Sequence, residues 1–242
     1  IRCPMKHILL SLLLAGSLPA LAGPTPTTAY DPVPWTALFN GKDLDGWHQL
    51  GGKATYAVVG DTIVGTSVAK TPNSFLATNK DYANFILEYE FKVDPVLNSG
   101  VQVRSHSRPQ FKNGQVHGMQ VEIDVDTAKK RYWTAGLYEE GRRGWLSPKK
   151  DDKAAEKAFT DQGAKVSKPT EWNKVRVEVA GNRYRTFLNG EHRADLTDDM
   201  EKEGFIALQV HGVSDNHAGK QVAWRNLRIK VLPADAKLPA AE

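Results

Sequence analysis

The sequence predicts an all-β protein, with one antiparallel β-sandwich over residues 35–233 that carries one long decorated loop. Several segments alternate apolar and polar residues with a period of two, which is typical of strands that bury one face. The clearest alternation places five apolar side chains on one face: Phe85, Leu87, Tyr89, Phe91 and Val93. Short turn signals such as Asn189-Gly190 separate the segments, and this dipeptide is typical of a β-hairpin.

The remaining elements follow in order along the chain. Alternation predicts strands over residues 100–105, 119–125, 175–179, 205–211 and 222–231. In the last segment the apolar parity switches between Trp224 and Leu227, which predicts a β-bulge near Arg225 and Asn226. One long polar stretch, residues 139–171, interrupts the pattern, and only residues 151–159 within it look helical. Long loops in compact domains are usually functional or mobile, and we expect this one to cover or border the binding surface, with Trp145 as its aromatic contact.

Both ends of the chain look separate from the sandwich. A basic start at Met5-Lys6-His7, an apolar run over residues 8–14 and the small-residue site Ala20-Leu21-Ala22 predict a signal peptide over residues 1–22. Residues 23–34 form a Pro- and Thr-rich linker, and residues 234–242 form a C-terminal tail. We therefore expect a periplasmic or secreted protein, cleaved near Ala22 and without stable membrane insertion.

Composition and charge exclude several classes of protein. The chain has 242 residues, of which 25% are charged and 40% hydrophobic, which excludes collagen, coiled coils and intrinsically disordered proteins. Its one cysteine, Cys3, lies in the predicted signal peptide, so the mature chain would have no disulfide and no thiolate. The formal net charge of +4 falls to +2 when Arg2 and Lys6 leave. No cluster of Lys and Arg is interleaved with aromatic residues, so we expect no nucleic-acid partner.

Three predicted strands carry planar hydrogen-bonding groups on their polar faces rather than the usual lysines. The period of two places each set on one face of a sheet. If the strands are neighbours, the sets form one polar concavity that can bind hydroxyl and carbonyl groups in pairs; otherwise they are three separate solvated strips. The candidate residues are Gln102, Arg104, Gln120, Glu122, Asp124, Gln209 and His211.

Glu122 and Asp124 stand two residues apart on one predicted strand face, roughly 7 Å apart at the backbone. This spacing suits a general acid and its stabilising partner, a structural cation with oxygen ligands, or simply two solvated acids. His211 is a natural proton carrier near neutral pH, or a structural residue at a strand end. The sequence predicts no organic cofactor and leaves a divalent cation open.

The segment 138–145 concentrates residue types that bind sugars. Tyr138 and Trp145 can stack on sugar rings, and the guanidinium groups of Arg142 and Arg143 can bind pairs of oxygens. The alternative is a loop anchored by one buried Trp with surface arginines around it.

The chain resembles the 3-keto-disaccharide hydrolase domain family. The matching motifs run in order from about residue 37 to 231 and cover nearly the whole predicted domain. They occupy residues 37–47, 98–101, 118–124, 138–145, 171–173, 188–190, 204–209 and 224–226. The resemblance implies a jelly-roll sandwich like that of concanavalin-type lectins and glucanases. It also implies a substrate whose glucose unit carries a ketone at C3, and a partner sugar 3-dehydrogenase that makes this ketone.

A C3 ketone opens a particular chemical route, because it acidifies the hydrogen on C2. A base can remove that proton, the resulting enolate can be held by hydrogen-bond donors, and the C1 substituent then leaves by elimination. Glu122 or His211 are candidates for base and acid, and Arg104 for the enolate oxygen. The substrate-binding candidates are Gln102, Gln120, Asp124, Tyr138, Arg142, Arg143, Trp145 and Gln209. Two other functions stay open, a carbohydrate-binding module without catalysis and an adhesion domain that binds protein.

Overall fold

The computed structural model describes residues 32–239, whose strands form two antiparallel sheets that pack face to face. The first sheet has eight strands: β1 (Thr36–Ala37), β3 (Thr55–Val59), β4 (Thr62–Thr66), β6 (Phe85–Val93), β13 (Asn173–Ala180), β14 (Arg183–Leu188), β15 (Glu191–Thr197) and β17 (Gln221–Val231). The second has seven: β2 (Trp47–Gly51), β5 (Ser74–Tyr82), β7 (Ser99–His106), β8 (His117–Ile123), β11 (Leu137–Glu140), β12 (Gly144–Ser147) and β16 (Gly204–Val210). A small ribbon joins β9 (Val125–Asp126) to β10 (Arg131–Tyr132).

Non-local pairing sets the order of strands in both sheets. The eight-stranded sheet runs β15-β14-β13-β6-β17-β4-β3, with β1 on the side of β17. The seven-stranded sheet runs β12-β11-β8-β7-β16-β5-β2. The predicted all-β antiparallel sandwich is therefore confirmed. The predicted signal peptide and most of the predicted linker lie outside the described residues, as does the end of the predicted tail.

The core lies between the sheets and is built from the apolar faces that alternation predicts. Leu87, Tyr89 and Phe91 of β6 pack against Val101 of β7 and Val121 of β8, and all five are buried. Each apolar side chain of this size contributes roughly 1.5–3 kcal/mol when fully buried. The alternation thus fixes which face of each strand turns inward, and the polar residues between are left for the outer faces.

The bulge predicted in the last strand is confirmed. The pairing of β17 with β6 shifts register between Arg225 and Arg228, and Asn226 adopts a φ of 53°. Asn tolerates this left-handed conformation better than most residues. The extra residue moves Leu227 and Ile229 back to the core face after the parity change.

The segment 139–171 is more ordered than the sequence predicts. Its first residues complete β11 and β12, and its helix α1 extends over Lys153–Val166 rather than residues 151–159 alone. Asp152 caps this helix, because its side chain accepts a hydrogen bond from the N–H of Ala155. The helix packs against β10 and β15 at the edge of the sandwich, where its buried Phe159 is covered.

A buried arginine fixes α1 to the sandwich. Arg193 on β15 is 4% exposed and donates to the carbonyl oxygens of Tyr132 (2.9 Å) and Phe159 (3.0 Å) and to Gln162 Oε1 (2.7 Å). Its guanidinium also lies 3.7 Å from the centre of the Phe159 ring. Burial lowers the pKa of Arg193 to about 10. These partners are neutral oxygens, so the arginine connects elements rather than balancing an acid. Within residues 32–239, no helix is both long and apolar enough to cross a membrane.

Arg193→Ala should loosen α1 while leaving the two sheets assembled. Because the substitution leaves several buried carbonyl oxygens without donors, we expect the free energy of unfolding to fall by about 3 kcal/mol. Denaturant unfolding measures this change, and limited proteolysis should show cleavage within residues 153–166. Lys157→Ala, on the exposed side of the same helix, is the matched control and should change little. Unchanged stability of the Arg193 variant would contradict this role.

Candidate active site

The outer face of the seven-stranded sheet carries a row of polar side chains. On β8, Met119, Val121 and Ile123 turn to the core, so Gln120 and Glu122 turn outward. The register places Gln102 of β7 opposite Gln120, and Gly100 opposite both Glu122 on β8 and Gln209 on β16. Three strands that are distant in sequence order therefore bring their polar faces together.

Hydrogen bonds link these side chains into a continuous chain, which we call the polar row: Gln102, Gln120, Glu122, Gln209 and Glu140. Gln102 Nε2 donates to Gln120 Oε1 (2.5 Å), and Gln120 Nε2 donates to Glu122 Oε1 (2.6 Å) and, at 3.4 Å, to Gln209 Oε1. Gln209 Nε2 lies 3.4 Å from Glu140 Oε2. Two carboxyl groups are thus joined through amides.

Gly100 makes room for the centre of the row. The side chain of Gln120 lies across this glycine, and a Cβ atom at position 100 would meet Gln120 Cδ at 2.6 Å. No real side chain tolerates such a contact without a shift. Gly100, the last residue of the Asn98-Ser99-Gly100 motif, therefore allows the side-chain amide of Gln120 to lie across the neighbouring strand.

Glu122 is the most perturbed acid of the row. Its side chain is almost enclosed, and burial raises its pKa to about 8, with further repulsion from Asp124 and Glu140. The amides of Gln120 and Asn98 (Nδ2 to Glu122 Oε2, 3.2 Å) oppose this shift but do not cancel it. The carboxyl group is therefore mostly protonated at neutral pH.

Glu140 is the second carboxyl of the row and is more exposed than Glu122. Burial raises its pKa, while hydrogen bonds from Asn73 (Nδ2 to Oε1, 3.4 Å) and Gln209 and the charge of Lys112 act in the opposite direction. Because two nearby carboxyls repel each other, they lose their protons one after the other.

Sequence reasoning missed Glu140 because it assigned residues 139–171 to a loop. In the structure β11 pairs with β8, and Tyr138 lies opposite Gln120. Residues 138 and 140 share a face at a period of two, so Glu140 follows Tyr138 onto the outer side. Extending the strand pattern by two residues past Tyr138 would have found it.

Asp124 lies at the end of the row, just after β8 ends. Arg131 pairs with both carboxylate oxygens of Asp124: its Nε lies 2.8 Å from Oδ2, and its Nη2 donates to Oδ1 at 2.9 Å. Burial raises the pKa of Asp124, and Arg131 opposes the shift. Its negative charge is one of the groups that keep Glu122 protonated.

Arg104 does not share the face predicted for it. A register shift in β7 gives this residue a φ of 46° and turns its side chain away from Gln102. The guanidinium is buried and donates to the carbonyl oxygens of Ala83 (2.6 Å) and Gly181 (2.8 Å) and to Asn84 Oδ1 (2.9 Å). The prediction that Arg104 lies on the polar face is therefore wrong. Its guanidinium instead connects the turn at residues 83–84 to the turn at Gly181.

His211 lies one residue beyond the end of β16 and is exposed. Its Nδ1 is 2.7 Å from the carbonyl oxygen of Gly212, and no hydrogen bond joins its ring to the polar row. The N–H of Gly212 donates to Asn73 Oδ1 at 2.9 Å, and Asn73 in turn contacts Glu140. The histidine is thus adjacent to the Glu140 end of the row without joining it.

The aromatic pair of segment 138–145 flanks the row. Tyr138 and Trp145 are cross-strand neighbours on β11 and β12, both are partly exposed, and their ring centres are 5.4 Å apart in an edge-to-face arrangement. Trp145 also packs edge-on against Trp133, with ring centres 4.7 Å apart. This arrangement leaves an aromatic surface beside Gln120.

The two predicted binding arginines are engaged elsewhere. Arg142 pairs with Glu139 (2.5 Å) and Glu201 (2.9 Å). Arg143 pairs with Glu139 and with Asp198 (2.6 Å). Glu139 has the opposite parity to Glu140, so these ion pairs lie away from the polar row. Among residues 32–239, no group of three or more His, Cys, Asp and Glu side chains is arranged to hold a metal ion.

The fold and the polar face define the class to which the protein belongs, the carbohydrate-active β-sandwich domains. More narrowly, the chain belongs to the 3-keto-alpha-glucoside-1,2-lyase-like domain family, whose model matches residues 34–230. A search of curated protein sequences returns no match.

Solved structures share the fold at low sequence identity. A candidate glycosyl hydrolase from Parabacteroides distasonis has 22% identity and a TM-score of 0.57, covering 82% of this chain and 94% of that one. A Bacillus subtilis protein with a galectin-like fold has 11% identity and a TM-score of 0.57 over the same shares. Porphyranase B from Zobellia galactanivorans has 13% identity and a TM-score of 0.52, covering 86% of this chain and 99% of that one. The lectin- and glucanase-type sandwich predicted from the sequence is confirmed.

The raised pKa of Glu122 makes stability depend on pH. An acid whose pKa rises on folding destabilises the folded state progressively as pH increases from its ordinary value of 4.5 to about 8. The full penalty is up to about 5 kcal/mol. We expect Glu122→Gln to gain stability relative to the unchanged protein as pH rises from about 5 to about 9. Thermal unfolding across this range measures the difference.

Glu90→Gln is the matched control for that experiment. It removes a partly exposed carboxylate that pairs with Arg225 (2.7 Å). Both residues lie on the eight-stranded sheet, away from Glu122. The stability difference of this control should not grow with pH in the same way. If the stability of the Glu122 variant and that of the unchanged protein changed with pH in parallel, the raised pKa of Glu122 would be contradicted.

Proposed function

We propose that this protein is an exported enzyme that cleaves glycosides carrying a ketone at C3 of the glucose unit. Cleavage proceeds by removal of the C2 proton and elimination of the C1 substituent, and water then completes a net hydrolysis. The observation that carries the proposal is the pair of carboxyls, Glu122 and Glu140, which the side-chain amides of Gln120 and Gln209 link on one face of the sheet. Membership of the 3-keto-alpha-glucoside-1,2-lyase-like domain family supports the substrate class.

In the first step Glu140 acts as the base. Its carboxylate takes the proton from C2, and the electron pair of the C–H bond forms an enolate that places negative charge on the C3 oxygen. In this proposal the buried amides of the polar row lie beneath the enolate, where their fixed dipoles stabilise the developing charge. The C3 ketone is essential, because an ordinary sugar has no acidic proton at C2.

In the second step Glu122 acts as the acid. The enolate collapses to restore the ketone, a C1=C2 double bond forms, and the C1–O bond breaks with its electron pair on the departing oxygen. That oxygen takes the proton of Glu122, which its buried position retains up to about pH 8. Water later adds hydrogen at C2 and hydroxyl at C1, so atoms balance as in hydrolysis.

Tyr138 and Trp145 hold the sugar in this proposal. Their partly exposed rings stand beside the row, and aromatic faces pack on the apolar faces of sugar rings. Gln102 and Gln209 are buried and hydrogen-bonded within the row, so they act as positioning residues, as does Asp124, which Arg131 holds. The ketone must come from another enzyme, a dehydrogenase that oxidises C3 of the glycoside.

Two outcomes test the reaction. The protein should cleave p-nitrophenyl 3-keto-glucoside and leave p-nitrophenyl glucoside intact. In heavy water the 3-keto-glucose product should carry deuterium at C2, since the added hydrogen comes from solvent, and a reaction without enzyme controls for spontaneous exchange. Equal cleavage of both substrates without deuterium at C2 would show direct displacement at C1 instead.

The protonation states predict the pH dependence of kcat/KM. Because Glu122 must carry a proton, kcat/KM should fall about tenfold for each pH unit above about 8. Glu122→Gln and Glu140→Gln should each lower kcat by about 100-fold or more. Rates without enzyme are subtracted at each pH. A profile that rises through pH 8 would instead make Glu122 the base.

A binding module without catalysis is the second candidate, and the partly exposed Tyr138–Trp145 pair favours it. Aromatic rings with an apolar body and a polar edge can hold a sugar without any catalytic group. Calorimetry with the intact glycoside separates the two functions. In an enzyme, Glu122→Gln keeps binding and loses turnover; in a binding module, Trp145→Ala weakens affinity and no variant changes any rate.

A further inference from the structure

One edge of the eight-stranded sheet is formed by β3, which pairs only with β4 among the strands of residues 32–239. Its five residues, Thr55–Val59, include no charge, no proline and no shift of register. Edge strands usually carry such features, because an open row of backbone N–H and C=O groups otherwise pairs with another strand. At the other end of the same sheet, β15 carries Glu191, Arg193 and Asp195 and packs against α1. The edge at β3 is therefore open to a partner strand.

The turn after β3 determines which backbone groups face the open edge. β3 and β4 join through the two-residue turn Gly60-Asp61, with Val59 opposite Thr62 and a φ of 62° at the glycine. In such a hairpin the two residues that flank the turn exchange hydrogen bonds, and this pattern returns at every second residue. The N–H and C=O groups of the residues between, Tyr56 and Val58, therefore point to the open edge.

The side chains of β3 present an uncharged surface on a fixed strand. Thr55, Ala57 and Val59 share the exposed face, and Val59 is 61% exposed, the highest value for a large hydrophobic residue within residues 32–239. On the inner face, the hydroxyl of Tyr56 lies 2.9 Å from the carbonyl oxygen of Leu208 on the seven-stranded sheet. This contact anchors the strand, so a partner meets an edge that is already ordered.

We propose that β3 pairs with β3 of a second copy of this chain, in antiparallel order about a two-fold axis at Ala57. This register places Tyr56 of each copy opposite Val58 of the other. Two such pairs form, and each exchanges both of its N–H···O bonds through the groups that face the open edge. The same patch serves both copies, as a two-fold interface requires, and the two eight-stranded sheets join into one.

Charged residues just beyond the strand favour this register. Lys53 stands four residues before Ala57 and Asp61 four residues after it, so the two-fold axis brings Lys53 of each copy to Asp61 of the other. Both side chains are exposed, and neither forms an ion pair with another of residues 32–239. Within one chain they are roughly 25 Å apart along the strand and cannot meet. Moving the axis by one residue would displace each charge from its partner by two residues.

The proposed dimer goes beyond the proposed reaction and does not depend on it. β3 belongs to the eight-stranded sheet, whereas the polar row lies on the outer face of the seven-stranded sheet. Each copy would therefore keep its own row open. Because one short pair of strands buries little surface, we expect a reversible dimer rather than a permanent one.

Sedimentation velocity of the full chain, from about 1 μM to about 500 μM, tests the association. We expect a monomer–dimer equilibrium. Lys53→Glu and Asp61→Lys should each weaken it by about tenfold, since like charges then meet at both ends of the strand pair. Both changes in one chain should restore it, because the ion pairs form again with reversed signs. Lys157→Glu, on the exposed side of α1, is the matched control and should change nothing.

Cross-linking tests the register itself, in a Cys3→Ser background with oxidised glutathione. Ala57→Cys should form a disulfide between two copies, because the two Cβ atoms at the axis would be about 5 Å apart. Thr55→Cys is the matched control on the same exposed face. Its two copies would lie roughly 13 Å apart in this register and should not cross-link.

Three results would overturn the proposal. These are a monomer at every concentration, equal cross-linking of the two cysteine variants, and a double charge reversal that fails to restore association. None of these readouts uses turnover. The charge variants should still cleave 3-keto-glucoside at the unchanged rate, so failure of the dimer and failure of the proposed reaction are distinguishable.

Discussion

The carboxyl of Glu122 is buried against amides rather than cations, and the rest of the site depends on this constraint. Its oxygens accept hydrogen bonds from Gln120 and Asn98, which stabilise the charged form less than an arginine would. Gly100 must lack a side chain for Gln120 to reach it. Gln120 in turn approaches Gln209, whose amide reaches Glu140. The hydrogen bonds that surround this one buried acid therefore connect side chains from four strands of one sheet.

The two sheets show how the partner decides the state of a buried acid. As whole residues, Glu88 and Glu122 are both 3% exposed. The pKa of Glu122 is nevertheless raised, and that of Glu88 is lowered. Burial raises the pKa of both, but three cations surround Glu88 and outweigh it. Ion pairs thus keep Glu88 charged on the eight-stranded sheet, whereas Glu122 on the seven-stranded sheet, which faces only amides, retains its proton to a higher pH.

Period-two alternation predicted the sandwich, and it predicted the shared face of Gln102, Gln120, Glu122 and Gln209 because each lies within a regular strand. It failed at Arg104, where one register shift in β7 reverses the side chain, and local sequence carries no clear signal for that shift. It also missed Glu140, because β11 is too short to stand out beside a long polar segment. Which strands become neighbours depends on packing far along the chain, so convergence of the row needed the structure.

The most direct test is the side-chain carboxyl titration of Glu122, followed by NMR of protein labelled with ¹³C-glutamate. The signal is assigned by its loss in Glu122→Gln, and Glu140→Gln shows how far the two carboxyls are coupled. We expect the Glu122 signal to titrate with a midpoint at about pH 8. A midpoint near the ordinary glutamate value of 4.5 would contradict the account, because Glu122 would then carry no proton to give at neutral pH.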